Sequence, residues 1–155
     1  MYQNSKLFSL WEKSNSGKTE TISNLIDLLS KIGRLREEQC EKTSKDKWCV
    51  VVFMDKNIGI TTRGDDKKSI SEDFAAIDNY SKKHNFDIDV YICAAHEKGQ
   101  TVVFLEHEFK KENIYWIEKS RFSIGDGKLS EDFYSLENKN QAEGMLKLLM
   151  KILAL

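Results

Sequence analysis

The chain has 155 residues, and its 24 basic and 25 acidic side chains leave a formal net charge of −1. This length suits one domain over residues 1–155, and the even charge balance offers no strongly basic face, so nucleic acid is not an expected partner. Three cysteines without a C-x-x-C pair, together with the absence of any long apolar run, predict a cytoplasmic protein with no disulfide framework, no membrane span and no secretion signal.

The first half of the chain alternates strand-like runs with one amphipathic segment. Residues 6–11 have strand character. Five apolar residues then recur at spacings of three and four, as the buried face of a helix requires: Ile22, Leu25, Ile26, Leu29 and Ile32. The polar stretch 36–47 is predicted to be a surface loop. The apolar runs 48–55 and 57–62 predict a hairpin of two strands.

The second half continues the same alternation. Ser69 and Glu72 form a capping-box pattern that predicts a helix over 70–83, and the run 87–95 predicts a buried strand. A helix over about 101–111, a strand over 114–122 and a final helix over 140–154 complete the order. Strands alternating with helices predict an α/β fold, a three-layer sandwich around a mostly parallel sheet that includes one antiparallel hairpin strand.

The segment between the first predicted strand and helix has the chemistry of an anion-binding loop. Its sequence, EKSNSGKT, spans residues 12–19. Small or turn-tolerant residues allow backbone N–H groups to face an anion: Ser14, Asn15, Ser16 and Gly17. Lys18 is then placed to reach the outer phosphates of a nucleotide, and Thr19 is placed to bind a metal ion at the helix start.

The segment resembles the Walker A motif of P-loop NTPases, Gly-x-x-x-x-Gly-Lys-[Ser/Thr], with Gly17, Lys18 and Thr19 in register. The resemblance implies a P-loop-like nucleotide-binding domain that uses Mg²⁺ and carries out NTP hydrolysis or kinase-like phosphoryl transfer. ATP is expected before GTP because the chain has no Asn-Lys-x-Asp guanine signature. A second substrate or protein partner is left open.

Glu12 departs from the motif, because it stands where the first glycine is expected. A carboxylate about 6 Å from one phosphate charge costs on the order of 3 kcal/mol at an effective dielectric constant near 20. The alternative function is therefore a non-catalytic module that retains the fold for protein interaction or regulatory ligand sensing.

An acidic residue at the end of a second buried strand holds magnesium in P-loop enzymes. Asp55 follows one candidate strand, whereas Asp65 and Asp66 follow the next. The predicted βαβ unit makes 57–62 and 87–95 parallel, which places Asp55 at the far end of the hairpin as a turn residue. Asp65 or Asp66 is therefore predicted to serve the metal or an attacking water, with Asp65 as the metal ligand beside Thr19.

Two further residues follow the carboxyl ends of predicted parallel strands, where open α/β sheets bind their ligands. Arg63 is a candidate for stabilising a transferring phosphate, and His96 is a candidate for orienting substrate or acting as acid or base. The alternatives are a solvated turn for the Arg-Gly-Asp-Asp run and a structural role for His96.

Overall fold

The computed structural model describes residues 2–12, 18–42, 44–64, 66–96, 99–119 and 128–155. The elements follow the chain as β1 (Lys6–Glu12), α1 (Lys18–Ile32), β2 (Arg34–Cys40), β3 (Lys47–Phe53), β4 (Lys56–Thr61), α2 (Lys67–Lys83), β5 (Val90–His96), α3 (Gln100–Glu108), a 3-10 turn (Lys111–Asn113), β6 (Ile114–Glu118) and α4 (Lys128–Leu153). Within these ranges, no helix combines the length and the apolar character needed to cross a membrane.

A six-stranded mixed sheet lies at the centre, in the order β2-β3-β4-β5-β1-β6. The strands β4, β5, β1 and β6 pair in parallel, whereas β3 is antiparallel to both of its neighbours. The predicted α/β class, the mostly parallel sheet and the antiparallel hairpin strand are therefore confirmed. Met54 and Asp55, with φ of 53° and 60°, turn the hairpin at the edge of the sheet opposite to the carboxyl ends of β1 and β5.

Helices cover both faces of the sheet and produce three layers. On one face, α1 and α4 contribute apolar side chains to a core with β1, β3, β4 and β5. On the other face, α2 and α3 pack against a second core that includes Leu7, Tyr91 and Cys93. The spacing of apolar residues in α1 explains its buried face, although Ile32, predicted to be buried, is 54% exposed at the last position of the helix.

The prediction of a surface loop over 36–47 is wrong, because half of this segment belongs to strands, residues 36–40 to β2 and residue 47 to β3. β2 occupies the edge of the sheet, and its side chains are exposed or half-buried. An edge strand with charged side chains lacks apolar alternation, and such charges also discourage pairing with other chains. Residues 41, 42 and 44–46, which we call the turn over 41–46, lie between β2 and β3 at the carboxyl edge of the parallel strands.

Two helices begin earlier than their apolar spacing predicts. α2 starts at Lys67 and is capped by Asp66, so the predicted cap at Ser69 is wrong. α4 starts at Lys128, 12 residues before the predicted 140. In its first half two buried residues are polar, Glu137 and Asn138, which hides that half from a search for apolar periodicity.

Candidate functional site

The start of α1 lies at the carboxyl end of β1, in the middle of the parallel part of the sheet. The helix that follows β1, α1, packs on one face of the sheet, whereas the helix that follows the neighbouring β5, α3, packs on the other face. Open α/β sheets bind ligands in the crevice where successive connections diverge in this way. The predicted binding residues Ser14, Asn15, Ser16 and Gly17 lie outside the described residues, immediately before this helix start.

A cavity of about 950 Å³ opens at this edge, between the first turn of α1, the turn over 41–46, the β4–α2 loop and the end of β5. Its wall brings together four of the predicted site residues, which are Lys18, Thr19, Arg63 and Asp66. Four further charged residues of the wall were not predicted: Glu20, Glu41, Lys45 and Asp46. The cavity therefore carries cations and carboxylates from three separate chain segments.

Lys18 and Thr19 form the first turn of α1. Lys18 is only 5% exposed, whereas Thr19 is exposed at the cavity wall. The N-terminus of a helix carries backbone N–H groups without intrahelical partners and a partial positive charge, and both favour an anion. A buried lysine next to such a helix start gives this corner of the cavity positive character.

Arg63 belongs to a polar network that we name the arginine cluster, made of Arg63, Thr61, Asp73 and Glu41. The guanidinium Nε lies 3.5 Å from Asp73 Oδ2, and a terminal guanidinium nitrogen contacts Glu41 Oε1. The Thr61 hydroxyl donates to Asp73 Oδ2 at 2.7 Å and accepts from the Arg63 backbone N–H at 3.1 Å. One guanidinium therefore faces two carboxylates, one of them on α2 and the other at the start of the turn.

Burial raises the pKa of Asp73 above the ordinary carboxyl value, although the hydrogen bond from Thr61 and the charge of Arg63 act in the opposite direction. Asp73 lies on the core side of α2, between Ile70, Phe74 and Ile77, which are all buried. The Asp73 carboxylate is tolerated on this apolar surface because it accepts a hydrogen bond from Thr61 and lies next to the Arg63 guanidinium.

The turn over 41–46 is fixed to the end of β4. The Thr62 hydroxyl donates to Asp46 Oδ1 at 3.0 Å, and the Glu41 backbone N–H donates to the Asp46 carbonyl at 3.0 Å. Ser44 Oγ donates to Glu41 Oε2 at 3.3 Å. The turn therefore presents Glu41 to Arg63 while remaining at the cavity wall.

Asp66 acts as the N-cap of α2. Its Oδ1 accepts from the Ser69 backbone N–H at 3.1 Å, and its Oδ2 accepts from the Ser69 hydroxyl at 2.7 Å. These hydrogen bonds hold the pKa of Asp66 below its usual value. Both carboxylate oxygens are thus engaged in capping, while the neighbouring Asp65 lies outside the described residues.

Gly64 sits where the β4–α2 loop passes against β5. A Cβ at this position would lie 2.6 Å from the carbonyl carbon of Ala94, which is backbone and cannot give way cheaply. Glycine is therefore required for the loop to approach β5 this closely. This approach positions Arg63 at the cavity wall.

His96 is the last residue of β5, half-buried, and pairs in the parallel register with Glu12 of β1. Glu12 therefore belongs to the ladder of β1, and the strand continues through the position where a Walker A motif has its first glycine. Among the described residues of the cavity wall, His96 does not appear.

Metal binding was predicted for Thr19 and Asp65. Thr19 lies at the cavity wall. Within the described part of the chain, no group of three His, Cys, Asp or Glu side chains has the arrangement of a metal site. A magnesium ion held by a bound phosphate needs few protein ligands, so the Thr19 hydroxyl fits such an ion without a closed protein cage.

A second polar network lies on the other side of β1, and we name it the lysine cluster: Lys119, Glu137, Asn138, Thr21 and Glu20. Lys119 Nζ lies 3.6 Å from Glu137 Oε1, with side chains only 1% and 6% exposed. Thr21 Oγ1 donates to Asn138 Oδ1 at 3.3 Å, and Asn138 Nδ2 donates to Glu20 Oε2 at 2.9 Å. This cluster ties α4 to the first two turns of α1.

Sequence reasoning missed Glu41 and Asp73. Glu41 follows the edge strand β2, whose charged side chains show no apolar alternation, so no sequence pattern identifies it. Asp73 had a visible signal, because it occupies the i+3 position of the apolar stripe that starts at Ile70 and continues through Phe74. A carboxylate at a core position of a helix indicates a buried polar partner.

Comparison with family models, with curated proteins and with solved structures finds no match for this chain. The fold and the chemistry of the cavity therefore carry the functional interpretation.

Proposed function

We propose that the protein binds a nucleotide, ATP in preference to GTP, together with Mg²⁺, through the loop 12–19 of a P-loop-like domain. NTP hydrolysis or phosphoryl transfer is the proposed reaction. The observation that supports this best is the position of Lys18, which is buried at the first turn of α1 and lines the cavity beside the carboxyl end of a central parallel strand. A strand, a loop and a helix in this order are the context that the Walker A sequence requires.

Each residue has a role in this proposal. The backbone N–H groups at the start of α1 and the Lys18 ammonium bind phosphate oxygens. Thr19 and Asp65 hold Mg²⁺, which when bound neutralises charge on the phosphates. Arg63 stabilises the transferring phosphate from the opposite wall, Asp65 or Asp66 orients the attacking group, and His96 remains a candidate for orienting substrate.

The proposal is tested by calorimetric titration of ATP and GTP, with and without Mg²⁺, into the wild type and Lys18→Ala. We expect the substitution to weaken Mg-ATP binding by roughly 10-fold to 100-fold, because a hydrogen bond from a charged donor is lost. Lys147→Ala is the matched control, since it removes the same charge from an exposed position on α4. Absence of binding of either nucleotide to the wild type at millimolar concentration would overturn the proposal.

A non-catalytic module is the second candidate, and the position of Glu12 in the β1 ladder favours it. A carboxylate there opposes phosphate charge, and an ordinary L-residue lacks the freedom of glycine to adopt positive φ. The module interpretation predicts that nucleotide does not bind to the wild type.

Glu12→Gly separates the two candidates. If the carboxylate weakens a working site, this substitution is expected to tighten Mg-ATP binding by up to roughly 100-fold, which corresponds to about 3 kcal/mol. Glu12→Gln is the control that removes the charge and leaves the backbone preference. Affinity that is unchanged or lower in Glu12→Gly would show that Glu12 does not oppose binding.

A further inference from the structure

We propose that Arg63 is a phosphate-binding residue of the cavity and that Asp73 is the positioning residue that fixes its guanidinium. Glu41 occupies the position on Arg63 that a phosphate takes, and a bound phosphate displaces it. We call this the placeholder role of Glu41. The inference rests on the proposed function only for the identity of the anion as a phosphate group. The positions of the three side chains carry the rest.

The two carboxylates that contact Arg63 differ in how firmly they are held. The Asp73 side chain is 11% exposed, lies on a helix and accepts a second hydrogen bond from Thr61. The Glu41 side chain is 44% exposed and lies at the start of a turn. Removing Arg63 from Asp73 would leave a buried charge without its counterion, whereas Glu41 can return to water at little cost. Asp73 is therefore the permanent partner, and Glu41 is the exchangeable one.

The geometry of the guanidinium matches this division. Asp73 takes Nε, whereas Glu41 takes a terminal nitrogen. Guanidinium groups bind phosphate through paired N–H donors in a planar fork. Arg63 and Glu41 both line the cavity, and Glu41 occupies a terminal donor of the guanidinium, so a phosphate that binds this donor replaces Glu41.

Charge favours replacement over addition. The cluster contains one guanidinium and two carboxylates, so it already carries a surplus of one negative charge. A phosphate that bound without displacing Glu41 would increase this surplus within contact distance. Release of Glu41 removes the repulsion, and it also removes the ion pair that joins the turn to Arg63. Phosphate binding is thereby coupled to the position of the turn over 41–46.

The test uses inorganic pyrophosphate as the probe, with affinity measured by calorimetry and the Arg63 side-chain N–H signal followed by NMR. Glu41→Gln is expected to bind pyrophosphate roughly twofold to fivefold more tightly, since the competing charge is gone. Glu20→Gln is the matched control, because it removes an equal charge from the same cavity wall without contacting Arg63. A gain in Glu41→Gln no larger than in Glu20→Gln would overturn the placeholder role.

Asp73→Asn tests the positioning role, because this role and simple electrostatics predict opposite changes in anion affinity. Loss of a negative charge near Arg63 should by itself strengthen anion binding, whereas loss of its fixed partner should weaken it. We expect pyrophosphate affinity to fall roughly fivefold and the Arg63 signal to lose its single sharp position. Thr61→Val removes the second hydrogen bond of Asp73 and the acceptor of the Arg63 backbone N–H but leaves both side-chain charges in place. It should give a smaller effect of the same sign even if Asp73→Asn folds poorly. Unchanged or higher affinity in both variants would overturn the positioning role.

The outcomes separate this inference from the proposed function. Pyrophosphate that shifts the Arg63 signal in a protein that does not bind ATP supports the inference and contradicts the nucleotide proposal. ATP binding that depends on Lys18, with no gain in Glu41→Gln, contradicts the inference alone. If pyrophosphate at millimolar concentration binds neither the wild type nor Glu41→Gln, the inference is also overturned.

Discussion

The arginine cluster and the lysine cluster lie on opposite sides of β1 at the same edge of the sheet, yet their charged side chains differ in how far they are buried. In the lysine cluster the Lys119 ammonium lies near the Glu137 carboxylate, and both side chains are almost fully buried. In the arginine cluster one guanidinium, 15% exposed, faces two carboxylates, and one of these, Glu41, is 44% exposed. A fully buried ion pair holds elements together, whereas an ion pair with a partly exposed carboxylate is suited to exchange that carboxylate for a ligand.

The largest expected effect comes from the lysine cluster. Glu137→Ala should lower the free energy of unfolding by about 3 kcal/mol, because Lys119 would keep its charge in a buried site without this counterion. Urea denaturation measures the change. Glu143→Ala, at an exposed position on the same helix, should stay within about 0.5 kcal/mol of the wild type. A loss below about 1 kcal/mol in Glu137→Ala would remove the contrast between the clusters.

The second effect concerns the backbone that carries Arg63. Gly64→Ala should lower the free energy of unfolding by about 2 kcal/mol, because its Cβ overlaps the Ala94 backbone. Gly144→Ala in α4 is the control, since nothing lies within 4 Å of its added Cβ, and it should stabilise the protein by about 0.5–1 kcal/mol. Equal effects of the two substitutions in thermal or urea denaturation would show that the loop does not depend on this close approach.

The smallest effect is a pH dependence in the arginine cluster. Burial raises the pKa of Asp73 above its ordinary value of 3.8, so its ionisation costs the folded state more than the unfolded state. Its contribution to stability is therefore fully present below the ordinary value and is lost as the pH rises through the raised value. Asp73→Asn cannot ionise, so its stability relative to the wild type should rise as the pH increases above about 4 and level off above the raised pKa of Asp73. Urea denaturation across this range measures the difference. If the stability of Asp73→Asn relative to the wild type falls or stays constant as the pH rises, the burial of the Asp73 carboxylate is contradicted.

The parts of the fold that follow apolar periodicity were accessible from the sequence. The hairpin, the parallel pairing of β4 with β5 and the buried face of α1 all rest on such spacing. β2 was missed because an edge strand with charged side chains has no periodic signal, and the first half of α4 was missed because its buried residues are Glu137 and Asn138. Both depend on partners that are distant in the chain.

The candidate site divides in the same way. Lys18, Thr19, Arg63 and Asp66 share one cavity wall, as expected for residues that follow the carboxyl ends of parallel strands. The ion pairs of Arg63 were not accessible, because Asp73 reaches it from a helix and Glu41 reaches it from beyond an edge strand. Local sequence motifs identify the residues that line the cavity. The ion-pair partners of each residue depend on tertiary packing, which local motifs do not encode.

The central claim is that a nucleotide binds at the start of α1, and the most direct test is to map where it binds. Titration of Mg-ATP into ¹⁵N-labelled protein should shift backbone amide signals most strongly in the first turn of α1 and in the β4–α2 loop. The contrasting surface is a cavity of about 530 Å³ between the first turns of α2 and α3, which includes Lys68 and Gln100. The largest shifts at this second cavity, or no shifts at all, would contradict the account.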